Sequence, residues 1–160
     1  MIVISDTTPL SELAKVGQMN LLGLVFRQVI LPQEVYDEVT TGTHPAVTAV
    51  KSADWIKVFS VKNPEKVSDL RALTKLGLGE CAAIVLAEEL NAQRLLIDDF
   101  EARQEAISRN LPVIGTVGIL LLAKEQGLIN SVKEILDALM AQNTRISPKL
   151  YQYALTIAQE

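Results

Sequence analysis

The stretch Gly77-Leu78-Gly79-Glu80-Cys81-Ala82-Ala83-Ile84-Val85-Leu86-Ala87-Glu88-Glu89-Leu90, with Arg94-Leu95-Leu96-Ile97-Asp98-Asp99 just beyond it, decides the fold class. Ala, Leu and Glu dominate from Leu78 to Leu90, which predicts a helix. Arg94 to Ile97 is a short, nearly continuous apolar run, as expected of a strand covered on both faces. A helix feeding a buried strand is one unit of an α/β chain.

Working outward, the unit recurs. Further strands are predicted at Ile2 to Ser5, Gln28 to Leu31, Trp55 to Phe59 and Pro112 to Ile114. Helices are predicted at Leu10 to Val16, with Thr8 as cap and Pro9 at the first position, and at Gln33 to Thr41 behind Pro32. Phe100 to Arg109, Val117 to Gln126, Val132 to Gln142, and Lys149 to Ala158 behind Ser147-Pro148 complete the set. Gly42 to Arg71 is the least regular stretch, mixing Gly42, Pro45 and Pro64 with short helical patterns. The alternation predicts a three-layer α/β/α architecture with a central parallel sheet. No long polar linker interrupts it. Residues 1–160 therefore read as a single domain, with a C-terminal helical extension at about 148–160.

Composition narrows the function. The chain has 160 residues, so it needs no disulfide or structural metal to fold. Its one Cys, Cys81, excludes a disulfide framework or a zinc finger. His44 is the only His, so any His-based triad depends on it; it reads as a surface residue. The apolar start meets Asp6 at once without a basic region, unlike a signal peptide, and no apolar run reaches membrane-spanning length. A cytoplasmic protein is the expectation. With 19 acidic residues against 15 basic, the net charge is -4 and aromatics are 4%. That balance argues against a bulk electrostatic nucleic-acid binder, but not against an enzyme that holds nucleic acid through metal ions.

The carboxylates are the informative residues. In open α/β sheets, ligands bind at the carboxyl ends of the strands. Asp6 follows the first strand; Asp98 and Asp99 follow the strand Arg94 to Ile97. Glu80 opens its helix, and Glu38 sits four residues beyond Glu34 on one helix face. Each has a purely local explanation. Asp6 can stabilise a turn, Asp98 with Glu101 has capping-box spacing, Glu80 suits a helix dipole, and Glu38 can be a solvated edge. Together they suggest convergence. Two carboxylates ~5 Å apart cost about 3 kcal/mol at an effective dielectric near 20, so such a crevice needs protons or cations. Oxygen ligands without His or Cys select Mg²⁺ or Mn²⁺. Two such ions suit phosphodiester hydrolysis.

At this point the sequence resembles the PIN-domain family. Val3-Ile4-Ser5-Asp6-Thr7-Thr8-Pro9-Leu10 is similar to its opening strand and Asp-x-Ser/Thr turn. Ile30-Leu31-Pro32 through Val35-Tyr36-Asp37-Glu38-Val39 resembles its second strand and Glu-bearing helix. Gly77-Leu78-Gly79-Glu80 resembles the helix with the third acid, and Leu95-Leu96-Ile97-Asp98-Asp99-Phe100-Glu101-Ala102-Arg103 the segment with the fourth. Val113-Ile114-Gly115-Thr116-Val117-Gly118 resembles the last strand and its turn. The likeness runs from residue 2 to about residue 147 and is nearest to a prokaryotic branch related to VapC-type toxins.

The resemblance implies a Mg²⁺- or Mn²⁺-dependent ribonuclease, the toxin of a toxin–antitoxin pair. It implies Asp6, Glu38, Glu80 and Asp98 as metal ligands, with Asp99 as a further ligand or orienting group. Thr8 matches a hydroxyl that supports the first Asp or a bound water. It further implies an RNA substrate, a small antitoxin partner and a homodimer. Two departures matter: Glu80 stands where many toxins have Asp, and the Asp98-Asp99 pair leaves the ligand ambiguous. Glu34 replaces Glu38 if the helix is rotated. Lys15, Arg71, Lys75 and Arg103 are candidate RNA contacts, and Gly115 to Gly118 is either a phosphate-binding turn or a simple tight one. Two other readings stand beside this one. A catalytically silent binding or assembly module would use the apolar residues of Lys149 to Ala158. A receiver-type signalling domain needs a Lys near the last strand, and none occurs before Lys124.

Overall fold

The computed structural model describes residues 1–160. Five parallel strands form one sheet: β1 (Val3–Ser5), β2 (Val29–Pro32), β3 (Ile56–Phe59), β4 (Arg94–Leu96) and β5 (Val113–Ile114). Their order is β3-β2-β1-β4-β5. Ten helices intervene: α1 (Thr7–Lys15), α2 (Leu21–Phe26), α3 (Gln33–Val39), α4 (Pro45–Ser52), α5 (Pro64–Thr74), α6 (Leu78–Glu89), α7 (Phe100–Ser108), α8 (Thr116–Glu125), α9 (Val132–Ala141) and α10 (Pro148–Ala158). No helix is long and apolar enough to cross a membrane.

The expected three-layer α/β/α fold is present, and strand alternation builds it. Successive side chains on a strand point to opposite faces. Val3, Val29, Leu31 and Leu96 join one core with α1, α2, α8, α9 and α10. Ile4, Ile30, Leu95 and Ile97 join the other, under α5, α6 and α7. Both faces of the central strands are dry, which explains their unbroken apolar sequence.

The strand order reverses between β1 and β4. The chain leaves β1 toward β2 and leaves β4 toward β5. A crevice opens at the carboxyl ends of those two strands. The Asp6 N–H donates to the Leu96 carbonyl at 2.9 Å, tying the two strand ends together there.

Several local expectations are corrected. α1 starts at Thr7 with Asp6 in the capping position, not at Leu10 behind Thr8. Pro9 falls in the first turn, where its missing N–H has no helical partner to lose. The irregular middle holds α4, α5 and β3. Both helices carry Pro at their start, with His44 and Asn63 accepting backbone N–H groups as caps. α2 is an unpredicted short helix, whose Gly23 lies under the Trp55 ring; an added Cβ would come within 2.6 Å of it. The C-terminal helix α10 packs on α8 and α9 and buries Ala154, Leu155 and Ala158, while Leu150, Tyr153 and Ile157 stay exposed.

Candidate active site

Asp6 is 3% exposed at the end of the central strand β1. Although it occupies the capping position of α1, its carboxylate makes no capping hydrogen bond. Burial pushes its pKa up to about 7, against the pull of the Thr7 N–H; the Glu80, Glu38 and Asp98 carboxylates push it further up. The predicted quartet thus shares one electrostatic neighbourhood around Asp6.

The other acids reach this point from four elements. Asp98 lies just past β4, and burial raises its pKa. Thr116, at the start of α8, opposes that rise with its backbone N–H on Oδ1 at 2.7 Å and its hydroxyl on Oδ2 at 2.6 Å. Arg103, also close to Asp98, donates to the Ile97 carbonyl at 2.9 Å and so braces the strand end. Glu38 extends from α3 and accepts the Thr7 hydroxyl through Oε2. Glu38 raises the pKa of both Asp6 and Glu80, so it is the α3 acid that faces the cluster.

Glu80 and Asp99 are partly engaged in capping. Glu80 Oε1 accepts the Gly77 N–H at 3.0 Å, closing a capping box on α6. Burial raises its pKa, with the Gly77 N–H pulling it down and Asp99 and Glu38 pushing it up. Asp99 Oδ2 accepts the Ala102 N–H at 3.0 Å and caps α7. The cap of that helix is therefore Asp99, not Asp98 as its Glu101 spacing suggests. This leaves Asp98, the more buried of the pair, facing Thr116 and the crevice.

Two glycines leave room for these carboxylates. A Cβ on Gly79 would come within 2.8 Å of Glu38 Oε2, and one on Gly115 within 2.8 Å of Asp98 Oδ1. As the side chains stand, no three acidic, His or Cys groups are drawn together tightly enough to enclose a cation. Each outer acid instead satisfies a nearby donor: Thr7 for Glu38, Gly77 for Glu80, Thr116 for Asp98.

A cavity of about 360 Å³ opens beside Asp98, lined also by Thr8, Glu12, Thr116, Thr144 and Arg145. The Thr8 hydroxyl is exposed there and makes no hydrogen bond within the protein. Sequence reasoning passed over Thr7 and Thr116 as partners of the acids, and over the corner between α9 and α10. Of the candidate RNA contacts, Lys15 pairs with Glu12 at 3.0 Å and Arg103 braces Ile97. Arg71 and Lys75 are exposed on and just beyond α5. The Gly115 to Gly118 turn is a tight strand-to-helix connection whose Thr116 N–H is already taken by Asp98. His44 is an exposed helix cap, accepting the Ala46 N–H through Nδ1.

A family model described as a PIN domain matches residues 2–160. No curated protein and no solved structure matches the chain.

Proposed function

The chain belongs to the PIN-domain family, a nuclease-type fold, and from that premise we propose that it is a divalent-metal-dependent endoribonuclease acting on RNA phosphodiesters. One observation carries the reading: a buried Asp6 carboxylate, capping nothing, in the field of Glu38, Glu80 and Asp98. Such a group is stable as an anion only beside a cation.

The donor set suits Mg²⁺ or Mn²⁺, since it offers carboxylate oxygens and no His or thiolate. Asp6, Glu38, Glu80 and Asp98 are the residues to hold it, and the missing side chains at Gly79 and Gly115 keep Glu38 and Asp98 free to approach. When bound, a divalent ion supplies charge stabilisation at phosphate oxygens and a more acidic water. The chain does the rest. Asp6 would hold the ion as an ionised carboxylate, since a ligand carboxylate must be deprotonated. Thr116 holds the Asp98 carboxylate in one orientation, and Asp99 and Glu80 fix the helix starts that frame the crevice. The free Thr8 hydroxyl is placed to hydrogen-bond a water or a phosphate oxygen in the cavity.

The test is cleavage of unstructured RNA, structured RNA and tRNA with Mg²⁺ or Mn²⁺, with EDTA, and in Asp6→Asn. Cleavage that needs metal and is lost in Asp6→Asn supports the reading; metal binding without cleavage of any of these RNAs defeats it. The capping roles of Glu80 and Asp99 favour a second reading, a catalytically silent binding module. A calorimetric titration with no Mn²⁺ uptake supports that alternative. The toxin role, with a small antitoxin and a homodimer, extends the first reading from the resemblance to toxin ribonucleases. Light scattering and growth arrest on expression test it.

A further inference from the structure

We propose that the groove between α8 and the α9–α10 corner is the subsite for the nucleotide next to the cleaved bond, with Arg145 on its phosphate and Tyr153 against its base. The inference rests on the ribonuclease reading and names residues that the acidic cluster does not contain.

Two cavities form the groove. The one of about 360 Å³ beside Thr8 and Asp98 meets a second of about 380 Å³, and both are lined by Asp98, Val117 and Leu150. The path therefore leads outward from Asp98 along α8 to Tyr153 on α10. Arg145 is the only Lys or Arg lining the first cavity, and it has neither an ion pair nor a hydrogen bond within the protein. Lys15, by contrast, is held by Glu12 at 3.0 Å, by the Thr144 hydroxyl at 2.7 Å and by the Gln142 carbonyl at 3.3 Å.

Those bonds have a second consequence. Thr144 also donates to Glu12, so α1 clamps the corner that carries Arg145. Asn143, with φ at 70°, makes the turn after α9, in a conformation that Asn tolerates. Arg145 is thus an unpaired guanidinium on a fixed corner beside an acidic cluster. A strand whose cleaved phosphate sits at the acids carries its next phosphate away from them, and an unpaired guanidinium at that distance offsets its charge. Further along, Tyr153 is 59% exposed and Leu150 is 40% exposed. Bases stack on such faces irrespective of sequence.

Fluorescence anisotropy with a short fluorescein-labelled oligouridylate, in Ca²⁺ and in metal-free buffer, tests the assignment. Arg145→Ala is expected to weaken binding about tenfold and to lower the slope of log affinity against log salt by about one. Arg145→Lys should recover most of both, because the contact is to a phosphate. Tyr153→Ala should weaken binding about fivefold or more, and Tyr153→Phe should not. Mn²⁺ affinity by calorimetry should stay at its wild-type value in all four variants, because none of them touches the acidic cluster. Wild-type affinity and salt slope in Arg145→Ala overturn the subsite while leaving the nuclease reading intact. A wild-type protein that neither binds nor cleaves RNA overturns both.

Discussion

Thr116 holds both oxygens of Asp98, one through its backbone N–H at 2.7 Å and one through its hydroxyl at 2.6 Å. Burial raises the Asp98 pKa and these two bonds oppose the rise, so Thr116 favours the ionised form of this carboxylate and orients it. Thr116→Val keeps the shape and the backbone donor but loses the hydroxyl. Its Mn²⁺ affinity should fall about 10- to 100-fold, the usual effect of losing a partner behind a ligand. The acid limb of metal binding should move to higher pH, because Asp98 then ionises later. Calorimetry across a pH series reads both.

Asp6 sets stability against function. Its folded pKa of about 7 lies above the 3.8 of the free side chain. The folded state therefore binds the extra proton, and the metal-free protein is most stable below about pH 4 with respect to this group. That contribution is lost as pH rises from about 4 to about 7, a change of order 4 kcal/mol. Asp6→Asn should remove this dependence. Urea unfolding without metal should show the variant more stable than wild type at pH 8 and close to it at pH 4, while cleavage is abolished. Mg²⁺ or Mn²⁺ should raise the wild-type melting temperature at pH 8 and leave that of Asp6→Asn almost unmoved.

Glu160 gives the opposite sign. Burial pushes its pKa up, but the Lys124 ammonium, the Val132 and Lys133 N–H groups and the Ser131 hydroxyl together bring it down to about 2. Its carboxylate closes the start of α9, accepting the Val132 N–H at 2.7 Å and the Lys133 N–H at 3.0 Å. Glu160→Gln should cost about 1 kcal/mol at neutral pH, the order of a lost helix cap. A group with a depressed pKa stabilises above its unfolded value of 4.5 and loses that contribution as pH falls toward 2. Melting curves should therefore differ at pH 7 and converge as the pH drops below 4.5.

The centre of the sheet was legible because β1 and β4 are dry on both faces, so Ile2 to Ser5 and Arg94 to Ile97 stand out as apolar runs with acids at their ends. The start of α7 was ambiguous because either of two adjacent Asp residues can cap a helix. Only the backbone at Asp99, φ -58° and ψ 130°, decides between them. α2 is too short for helical periodicity to show, and it is held by the Trp55 ring over Gly23. The stretch Gly42 to Arg71 read only as irregular with short helical patterns, and there Pro64, behind Asn63, starts α5. The cavity wall left no trace in the sequence, since Thr144 and Glu12 meet across 132 residues of chain.

Gly115 shows how closely the backbone turn is fitted to the site. Its φ of -100° and ψ of -179° are open to any residue, so conformation does not require glycine there. Space does: an added Cβ would lie 2.8 Å from Asp98 Oδ1 and 3.1 Å from Arg103 Nη1. Both neighbours are held, Asp98 by Thr116 and Arg103 by the Ile97 carbonyl, so neither yields without breaking a bond. Gly115→Ala should therefore displace the Asp98 carboxylate and weaken Mn²⁺ binding at least tenfold, with a stability loss of about 1–3 kcal/mol from overpacking. Gly79→Ala meets Glu38 Oε2 at the same 2.8 Å, but Glu38 is exposed and held only by the Thr7 hydroxyl, so it swings aside at the loss of one bond where Asp98 has two. Its effect on metal affinity should be the smaller of the two. Calorimetry and melting curves on the pair give the comparison, and equal effects would mean that Asp98 is not the more tightly positioned ligand.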